Sequence, residues 1–279
     1  MPEVKALGEL AGPLLVFGGP YSNLQATQAM KIVARQRNIP PEHVFCTGDT
    51  VAYCGDPYET VELIREWGVH VVKGNCEASL AADAPDCGCG FEEGTTCSLL
   101  SVDWYRFASS QVSTEQKQWM EQLPSRITLS CAGHSIALIH GGLEQINQYF
   151  FPSTPREVKR QEHSKSGADI VIGGHSGLPF GDTFSEGAWL NTGVIGMPAN
   201  DGTKDGWYLL LETAEHGLKA SWHRLIYNAE KASQAMKDVG LCGGYQEALL
   251  TGLWPSMDIL PEHEKPMRGK PINLAAISL

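Results

Sequence analysis

The 279-residue chain is 42% hydrophobic and 19% charged, a balance typical of a globular protein with a continuous core rather than a disordered one. Its formal charge is −11, and no cluster of basic residues stands out, which argues against an extended nucleic acid as a partner. No apolar run has the length of a membrane helix, and the first residues lack the pattern of a signal peptide, so we expect a cytoplasmic protein without a membrane partner.

Residues 13–75 alternate short apolar runs with amphipathic stretches. The apolar runs predict strands at 13–17, 43–46 and 69–73, and the amphipathic stretches predict helices at 23–37 and 57–67. Such alternation predicts a mainly parallel sheet with helices on its faces.

The regular pattern disappears between Cys76 and Thr96, which predicts a long loop of a functional or disordered kind. Regular patterns resume after it and predict helices at 104–109 and 114–122, strands at 126–129 and 135–139, a helix at 155–165 and a strand at 169–172.

Strands then follow one another, which predicts a second, more antiparallel sheet packed on the first. These strands are expected at 188–191, 207–211 and 218–226, and helices at 228–239 and 245–250. We expect a single α/β domain over residues 1–254, with a Cys-rich loop at 76–97, and a proline-containing C-terminal tail over residues 255–279.

Five apolar strands end in a glycine, a polar side chain or both. The carboxyl ends of strands in an open α/β sheet converge on the ligand crevice, so the polar side chains there are expected to share one site. A carboxylate, an amide oxygen and two imidazoles suit a divalent transition metal such as Mn, Fe or Zn. The strand ends are Gly18-Gly19, Gly48-Asp49, Gly74-Asn75, His140-Gly141 and Gly174-His175.

These motifs, in this order, resemble those of the calcineurin-like metallophosphoesterases. The similarity includes Gly74-Asn75-Cys76-Glu77 and Gly174-His175-Ser176-Gly177, and it covers about residues 14–250. It implies a four-layer αββα sandwich of two mixed sheets and the hydrolysis of phosphate mono- or diesters with a metal pair.

Three positions depart from the family pattern. The first motif of the family supplies an Asp and a His, where this chain has Gly19 and Tyr21, and the second His of the last motif is replaced by Gly177. In the family these side chains bind the first metal. The resemblance therefore implies one retained metal site, with the ligands Asp49, Asn75, His140 and His175.

Cys76 stands where the family has a His that protonates the leaving oxygen or stabilises the transition state. A thiol is a poorer proton donor near neutral pH. A thiolate beside a metal is instead a candidate ligand, and a buried thiol that only fills space is a third interpretation. We interpret Cys76 and His140 as candidate catalytic residues, and Cys76 as a candidate additional metal ligand.

The eight cysteines of this chain are expected to be mostly reduced, and the dispersed ones to be small buried side chains. The spacing of Cys87, Cys89 and Cys97 differs from that of a structural zinc site. Binding of a second, soft ion, redox activity, one disulfide and plain packing all stay open for them. Tyr21 and Asn23 are interpreted as substrate-binding residues, with Tyr21 lining the pocket first and binding metal second.

The sequence thus predicts a metal-dependent phosphoesterase that acts on a small phosphorylated substrate with one divalent transition metal. Two alternatives stay open. One is a non-catalytic relative that binds a phosphorylated ligand or a metal, and the other is a soft-metal or thiol-redox site in the Cys-rich loop on the same scaffold.

Overall fold

The computed structural model describes residues 4–215 and 217–279. In chain order, the strands of these ranges are β1 (Val4–Glu9), β2 (Leu14–Phe17), β3 (Val44–Cys46), β4 (His70–Val71), β5 (Arg126–Cys131), β6 (His134–Leu138), β7 (Ile170–Gly173), β8 (Pro179–Thr183), β9 (Ala188–Thr192), β10 (Gly206–Thr213), β11 (Leu218–Leu225) and β12 (Ile277–Ser278).

The helices of the same ranges lie between these strands and after β11. They are α1 (Leu24–Gln36), α2 (Pro57–Trp67), α3 (Asn75–Ala81), α4 (Thr96–Gln111), α5 (Thr114–Glu121), α6 (Arg156–Ser166), α7 (Ala229–Asp238) and α8 (Gly244–Thr251). Among these described helices, none combines the length and the apolar composition needed to cross a membrane.

The strands form two six-stranded mixed sheets, one in the order β1-β5-β6-β7-β9-β8 and the other in the order β12-β11-β10-β2-β3-β4. Strands β2, β3 and β4 run parallel to one another, as do β6, β7 and β9. The carboxyl ends of these parallel strands carry the polar residues singled out above.

Strand β2 shows how the layers are held together. Leu14 and Val16 pack into the core between the two sheets, whereas Leu15 and Phe17 pack against α1 and α2 on the outer face. Successive side chains of a strand point to opposite faces, so a strand covered on both sides is apolar at every position. Helix α6 lies on the outer face of the other sheet, and the predicted four-layer αββα sandwich is confirmed.

The prediction of one long loop from Cys76 to Thr96 was wrong at its start. Helix α3 begins directly at Asn75, where the Glu77 carboxylate accepts a hydrogen bond from the backbone N–H of Gly74 and so caps the helix. Helix α4 also starts earlier than expected, because the Thr95 hydroxyl accepts from the backbone N–H of Ser98. A helix of seven residues such as α3 leaves little periodicity in the sequence and depends on its cap.

The expected division of the chain into a first and a second sheet was also wrong. Strand β9 pairs in parallel with β7, while β10 joins the sheet of β2, so each sheet combines strands from both halves of the chain. The strands that the sequence analysis missed are β1 and β12 at sheet edges and β8, which hydrogen-bonds to β9 alone.

The C-terminal residues pack against the rest of the fold. Leu260 belongs to the core between the sheets, and β12 pairs in antiparallel fashion with β11. The boundary expected at residue 254 stays a prediction.

Candidate metal centre

The four predicted metal ligands lie together at the carboxyl ends of the parallel strands. His140 Nε2 lies 3.0 Å from Asn75 Oδ1, 3.0 Å from His175 Nδ1 and 3.3 Å from Asp49 Oδ2. His175 Nδ1 lies 4.0 Å from the same Asp49 oxygen. All four side chains are buried. The structure therefore brings together residues that are widely separated in sequence.

The loops after β3 and β4 approach each other so closely that Gly48 has no room for a side chain. A Cβ at Gly48 would lie 2.7 Å from the backbone nitrogen of Gly74. Asp49 follows in the left-handed region, with φ 56°, a conformation that Asp tolerates better than most residues. This close approach places the Asp49 carboxylate directly beside the start of α3.

Glu77 links the two loops. Its Oε1 accepts hydrogen bonds from the backbone N–H and the hydroxyl of Thr50, at 2.6 and 2.7 Å. Its Oε2 accepts from the backbone N–H groups of Asp49 and Gly74, both at 2.8 Å. Burial and the Asp49 charge raise the pKa of Glu77, but four donors facing one carboxyl group favour the carboxylate. Glu77 thus fixes the loops of Asp49 and Asn75 relative to each other, and it does not itself contact His140 or His175.

The side chain of Asn75 is oriented by the Cys-rich segment. Its Nδ2 donates to the backbone carbonyl of Cys87 at 2.9 Å and faces the sulfur of Cys89 at 3.5 Å. Because the amide nitrogen is used on that side, Oδ1 points at His140. An oxygen atom is the end of the amide that a metal ion binds.

His140 is fixed by its other ring nitrogen. Nδ1 lies 2.7 Å from the carbonyl of Thr47, so Nδ1 carries a proton and donates it there. Nε2 then faces Asn75 Oδ1, His175 Nδ1 and Asp49 Oδ2, and a proton or a metal ion among these atoms offsets the repulsion between their lone pairs. Burial lowers the pKa of His140, but the Asp49 carboxylate outweighs it, and the pKa is raised above its ordinary value.

The other two ionisable groups have the charge states that a metal requires. Burial, and then the neighbouring His140, lower the pKa of His175 to about 3, so its imidazole is neutral. Burial alone would raise the pKa of Asp49, but the charge of His140 outweighs burial and lowers that pKa, so the carboxylate is ionised. Ligand atoms of Asp49, His140 and His175 lie within 4.8 Å of one another, and this donor set fits a divalent transition metal.

Aromatic rings lie beside Gly19 and Gly177, two of the three positions at which the sequence departs from the family pattern. The Tyr21 ring fills the space beside Gly19, because a Cβ at Gly19 would lie 2.5 Å from Tyr21 Cζ. Burial, and then the Asp49 charge, raise the pKa of Tyr21, which favours the neutral phenol over a phenolate ligand. Tyr21 lines the cavity next to the ligands, where it was expected.

A second ring stands beside Gly177. A Cβ at that glycine would lie 3.5 Å from Cζ2 of Trp254, whose indole N–H donates to the carbonyl of Pro198 at 2.6 Å. The cavity between these rings and the ligands encloses about 50 Å³. Six aromatic side chains contribute to its wall, namely Tyr21, Tyr53, Phe91, Tyr149, Tyr245 and Trp254.

Asn23, by contrast, does not line this cavity. Its Oδ1 accepts from the backbone N–H of Ala26 and so caps α1, and its Nδ2 donates to the carbonyl of Gly196, both at 3.0 Å. Both ends of the amide are therefore engaged within the fold, and the geometry gives Asn23 a structural role.

Cys76 is buried at the start of α3. Its backbone N–H donates to Asp49 Oδ1 at 3.1 Å, and its sulfur lies 3.6 Å from the amide nitrogen of Asn75. Burial, and then the charge of Asp49, raise the pKa of Cys76, which favours a thiol over a thiolate ligand.

Of the interpretations left open for Cys87 and Cys89, the structure shows a disulfide between the two. The carbonyls of Cys87 and Cys89 accept hydrogen bonds from Asn75 and from the Tyr149 hydroxyl, the latter at 3.0 Å. The Tyr149 ring in turn packs on His175, with centroids 4.2 Å apart. This disulfide loop therefore supports the metal centre from outside and offers no free thiolate of its own.

The remaining cysteines are free. Cys46, Cys54 and Cys131 are buried, as expected, whereas the same expectation was wrong for Cys242, which is exposed. Cys97 is buried and lines the cavity, and burial raises its pKa. A soft-metal site built from Cys87, Cys89 and Cys97 together has no support in this geometry.

Sequence reasoning missed most of the aromatic wall. Tyr245 and Trp254 lie far along the chain from the motifs, and their sequence context gives no local signal of a site. Trp254 and the first residues after it reach the cavity because α8 ends beside it. The segment expected to be a tail thus contributes Pro255, Ser256 and Ile259 to the cavity wall.

The fold and the clustered ligands define a metallophosphoesterase-like protein. The chain belongs to the calcineurin-like phosphoesterase superfamily, whose domain model matches residues 24–216.

The chain is also similar to individual proteins. An uncharacterized protein of Methanocaldococcus jannaschii, MJ0912, is 24% identical over 237 residues, which are 78% of this chain and 89% of that protein. The solved structure of a metallophosphoesterase from Sphaerobacter thermophilus has a TM-score of 0.68 and 19% identity, over 88% of this chain and all of that one. A hypothetical protein from Pyrococcus horikoshii OT3, PH1004, has a TM-score of 0.71 and 14% identity, over 87% of this chain and 99% of that chain. At these identities the two structures establish the fold.

Proposed function

We propose that this protein is a metal-dependent phosphoesterase that hydrolyses a small phosphorylated substrate at a single metal centre. The observation that carries the proposal is the convergence of four acceptor atoms, from Asp49, Asn75, His140 and His175, around one point. Hydrogen bonds from outside the cluster hold Asp49, Asn75 and His140, as is usual for metal ligands, and the Tyr149 ring packs on His175.

A bound Mn, Fe or Zn ion would activate a water molecule and polarise a phosphoryl oxygen. The residues of the chain prepare that chemistry. Asp49 supplies the negative charge, and the Thr47 carbonyl keeps the Nε2 lone pair of His140 directed inward. Tyr149 packs on His175 and limits the access of bulk water to this face.

Cys76 is the remaining candidate for proton transfer to the leaving group. Its buried thiol lies one residue from Asn75 and is held by its backbone contact with Asp49. The raised pKa makes this thiol a weak acid, so substrates with good leaving groups are expected to react fastest.

The proposal of a single metal ion rests on the three positions at which this chain lacks the ligands of the family's first metal site. Gly19, Tyr21 and Gly177 offer no side chain that binds a divalent ion as the family's Asp and His do, and aromatic rings fill the space. We therefore expect one ion per chain.

The test is the metal content of the purified protein by mass spectrometry, together with the turnover of methyl 4-nitrophenyl phosphate, a diester with one good leaving group. We expect the wild type to retain a transition metal, and His140→Ala to lose both metal and turnover. His163→Ala is the matched control, because His163 is also buried and also bonds a backbone carbonyl, that of Asp169. A His140→Ala variant with undiminished metal and activity would overturn the proposal.

A second candidate function is ligand binding without catalysis. It is favoured by the loss of the three first-site ligands, and it predicts that the protein retains metal and binds inorganic phosphate but gives no turnover with Mn, Fe or Zn. The soft-metal alternative predicts that metal is retained in Asp49→Ala/His140→Ala and is lost only in Cys87→Ser/Cys89→Ser. The cytoplasmic location stays a prediction from the sequence.

A further inference from the structure

We propose that the preferred substrates are phosphoesters with a single negative charge and an aromatic ester group, that is, small phosphodiesters with an aryl arm. This inference rests on the proposed function and deepens it. Two observations carry it: the charge balance around the metal ligands and the composition of the opposite cavity wall.

The charge balance leaves little positive charge for a substrate. Asp49 is the one carboxylate among the four proposed ligands, so a single divalent ion beside it would leave one net positive charge. One singly charged substrate group neutralises that charge. None of the described residues that line the cavity is a lysine or an arginine.

A substrate of low charge therefore enters this cavity at the lowest cost. A phosphomonoester carries about −1.5 to −2 charges near neutral pH, whereas a diester carries one. Each further negative charge must leave water for a buried site without a cationic partner, which is strongly unfavourable. Nucleoside polyphosphates are disfavoured most by the same argument.

The wall opposite the ligands favours an apolar, planar group. Tyr245 packs on Tyr53, with ring centroids 4.4 Å apart, and Tyr53 packs on Tyr21 at 4.8 Å. Trp254 continues this surface beside Gly177. Aromatic groups gain from burial against such rings and from edge or offset contacts with them.

The volume of the cavity limits the size of the substrate. About 50 Å³ is far below the roughly 300–1,000 Å³ of a pocket that encloses a drug-sized ligand. The enclosed space therefore suits the phosphoryl group and at most a small ester arm, and an aryl arm has to reach beyond that space along the rings. A large second arm has no place in the enclosed space.

Three phosphorus acids that cannot be hydrolysed separate charge from aromaticity. Methylphenylphosphinate is a monoanion with a phenyl group, phenylphosphonate adds negative charge, and dimethylphosphinate lacks the ring. We expect calorimetric titration of the Zn-loaded protein to show that methylphenylphosphinate binds about tenfold more tightly than either of the others. Equal or tighter binding of phenylphosphonate or dimethylphosphinate would overturn the inference.

Substitutions of the aromatic wall residues test whether these rings cause the preference for the phenyl group. Trp254→Leu and, independently, Tyr245→Leu should reduce the preference for the phenyl group and leave the preference for a single charge. Trp119→Leu, which changes a tryptophan outside the cavity lining, should leave both preferences unchanged. If neither wall variant alters the phenyl preference while each folds, as judged by circular dichroism, the aromatic part of the inference is wrong.

Failure of the proposed function gives a different result. In that case binding of methylphenylphosphinate would be the same in the wild type and in His140→Ala, and neither would depend on zinc. A metal-dependent affinity with the wrong ligand order refutes the substrate class alone.

Discussion

The two sides of the cavity differ in which elements build them and in what their side chains do. On the ligand side, the atoms of Asp49, Asn75 and His175 converge on His140 Nε2 at 3.0 to 3.3 Å. On the aromatic side, the Tyr21 ring leaves no room for a Cβ at Gly19, at 2.5 Å, whereas Trp254 lies at an ordinary contact distance of 3.5 Å from a Cβ at Gly177. The difference teaches that one side gathers acceptor atoms and the other is closed by aromatic packing, most tightly at Gly19.

The largest expected effect comes from restoring the family's carboxylate with Gly19→Asp. Its Cβ would lie 2.5 Å from Tyr21 Cζ, and the backbone φ is +40°, which is strained for a side chain. Overpacking and this strain together should lower the free energy of unfolding by about 3 kcal/mol. Urea denaturation monitored by circular dichroism measures the change.

Two further variants separate the steric effect of the Tyr21 ring from the strain of the backbone at Gly19. Gly133→Asp also has a positive φ, +83°, but no atom within 4 Å of its Cβ, so it should show the backbone cost alone. The double variant Gly19→Asp/Tyr21→Ala should regain the part of the loss that the ring causes. If Gly19→Asp costs no more than Gly133→Asp, the ring does not fill the vacated site as we describe.

The ligand side was predictable because its signals are local. Asp49, Asn75, His140 and His175 each follow an apolar strand, and the rule that strand ends converge placed them in one site. The aromatic side was not, since Tyr245 and Trp254 reach the cavity through tertiary packing of α8 and the segment after it.

The elements of the fold likewise divide into those that the sequence predicted and those that it did not. Strands buried on both faces, such as β2, are apolar throughout and were recognised from the sequence. The edge strand β1 is largely exposed, and its apolar and polar residues do not alternate, so it carries no clear strand pattern to recognise. Helix α3 depends on the carboxylate cap of Glu77, which periodicity does not detect.

A smaller effect is expected from Glu77→Gln, which changes how the ligand side is supported. The amide nitrogen would face donors that the carboxylate oxygen now accepts from, so the loops of Asp49 and Asn75 lose their common anchor. We expect metal affinity to fall by about 10- to 100-fold. Competition with a chelator measures the metal affinity.

Glu264→Gln is the control, because Glu264 is also a buried glutamate and accepts a hydrogen bond from the backbone N–H of Ser153. This variant should change metal affinity little. An equal loss in both variants would contradict a specific role for Glu77.

The smallest effect, and the one that examines the ligand side most directly, is the dependence of metal binding on pH. Without metal, the raised pKa of His140 means that a proton at Nε2 satisfies the acceptors around it. That protonation stabilises the folded protein below the unfolded pKa of histidine, and the contribution is lost as pH rises through the raised pKa. A metal ion must displace the same proton. Metal affinity should therefore rise by at most about tenfold per pH unit below the pKa of His140 and level off above it.

His175 makes this prediction specific to one proton. With its pKa lowered to about 3, it is already neutral and releases none when metal binds. Calorimetry at a pH below the pKa of His140, in two buffers of different ionisation enthalpy, counts the released protons, and we expect about one. Release of about two would show that both imidazoles are charged before binding, and release of none would show that no proton stands where the metal is proposed to bind. Either result would remove the feature that distinguishes the ligand side from the aromatic side, namely acceptor atoms that need a cation between them.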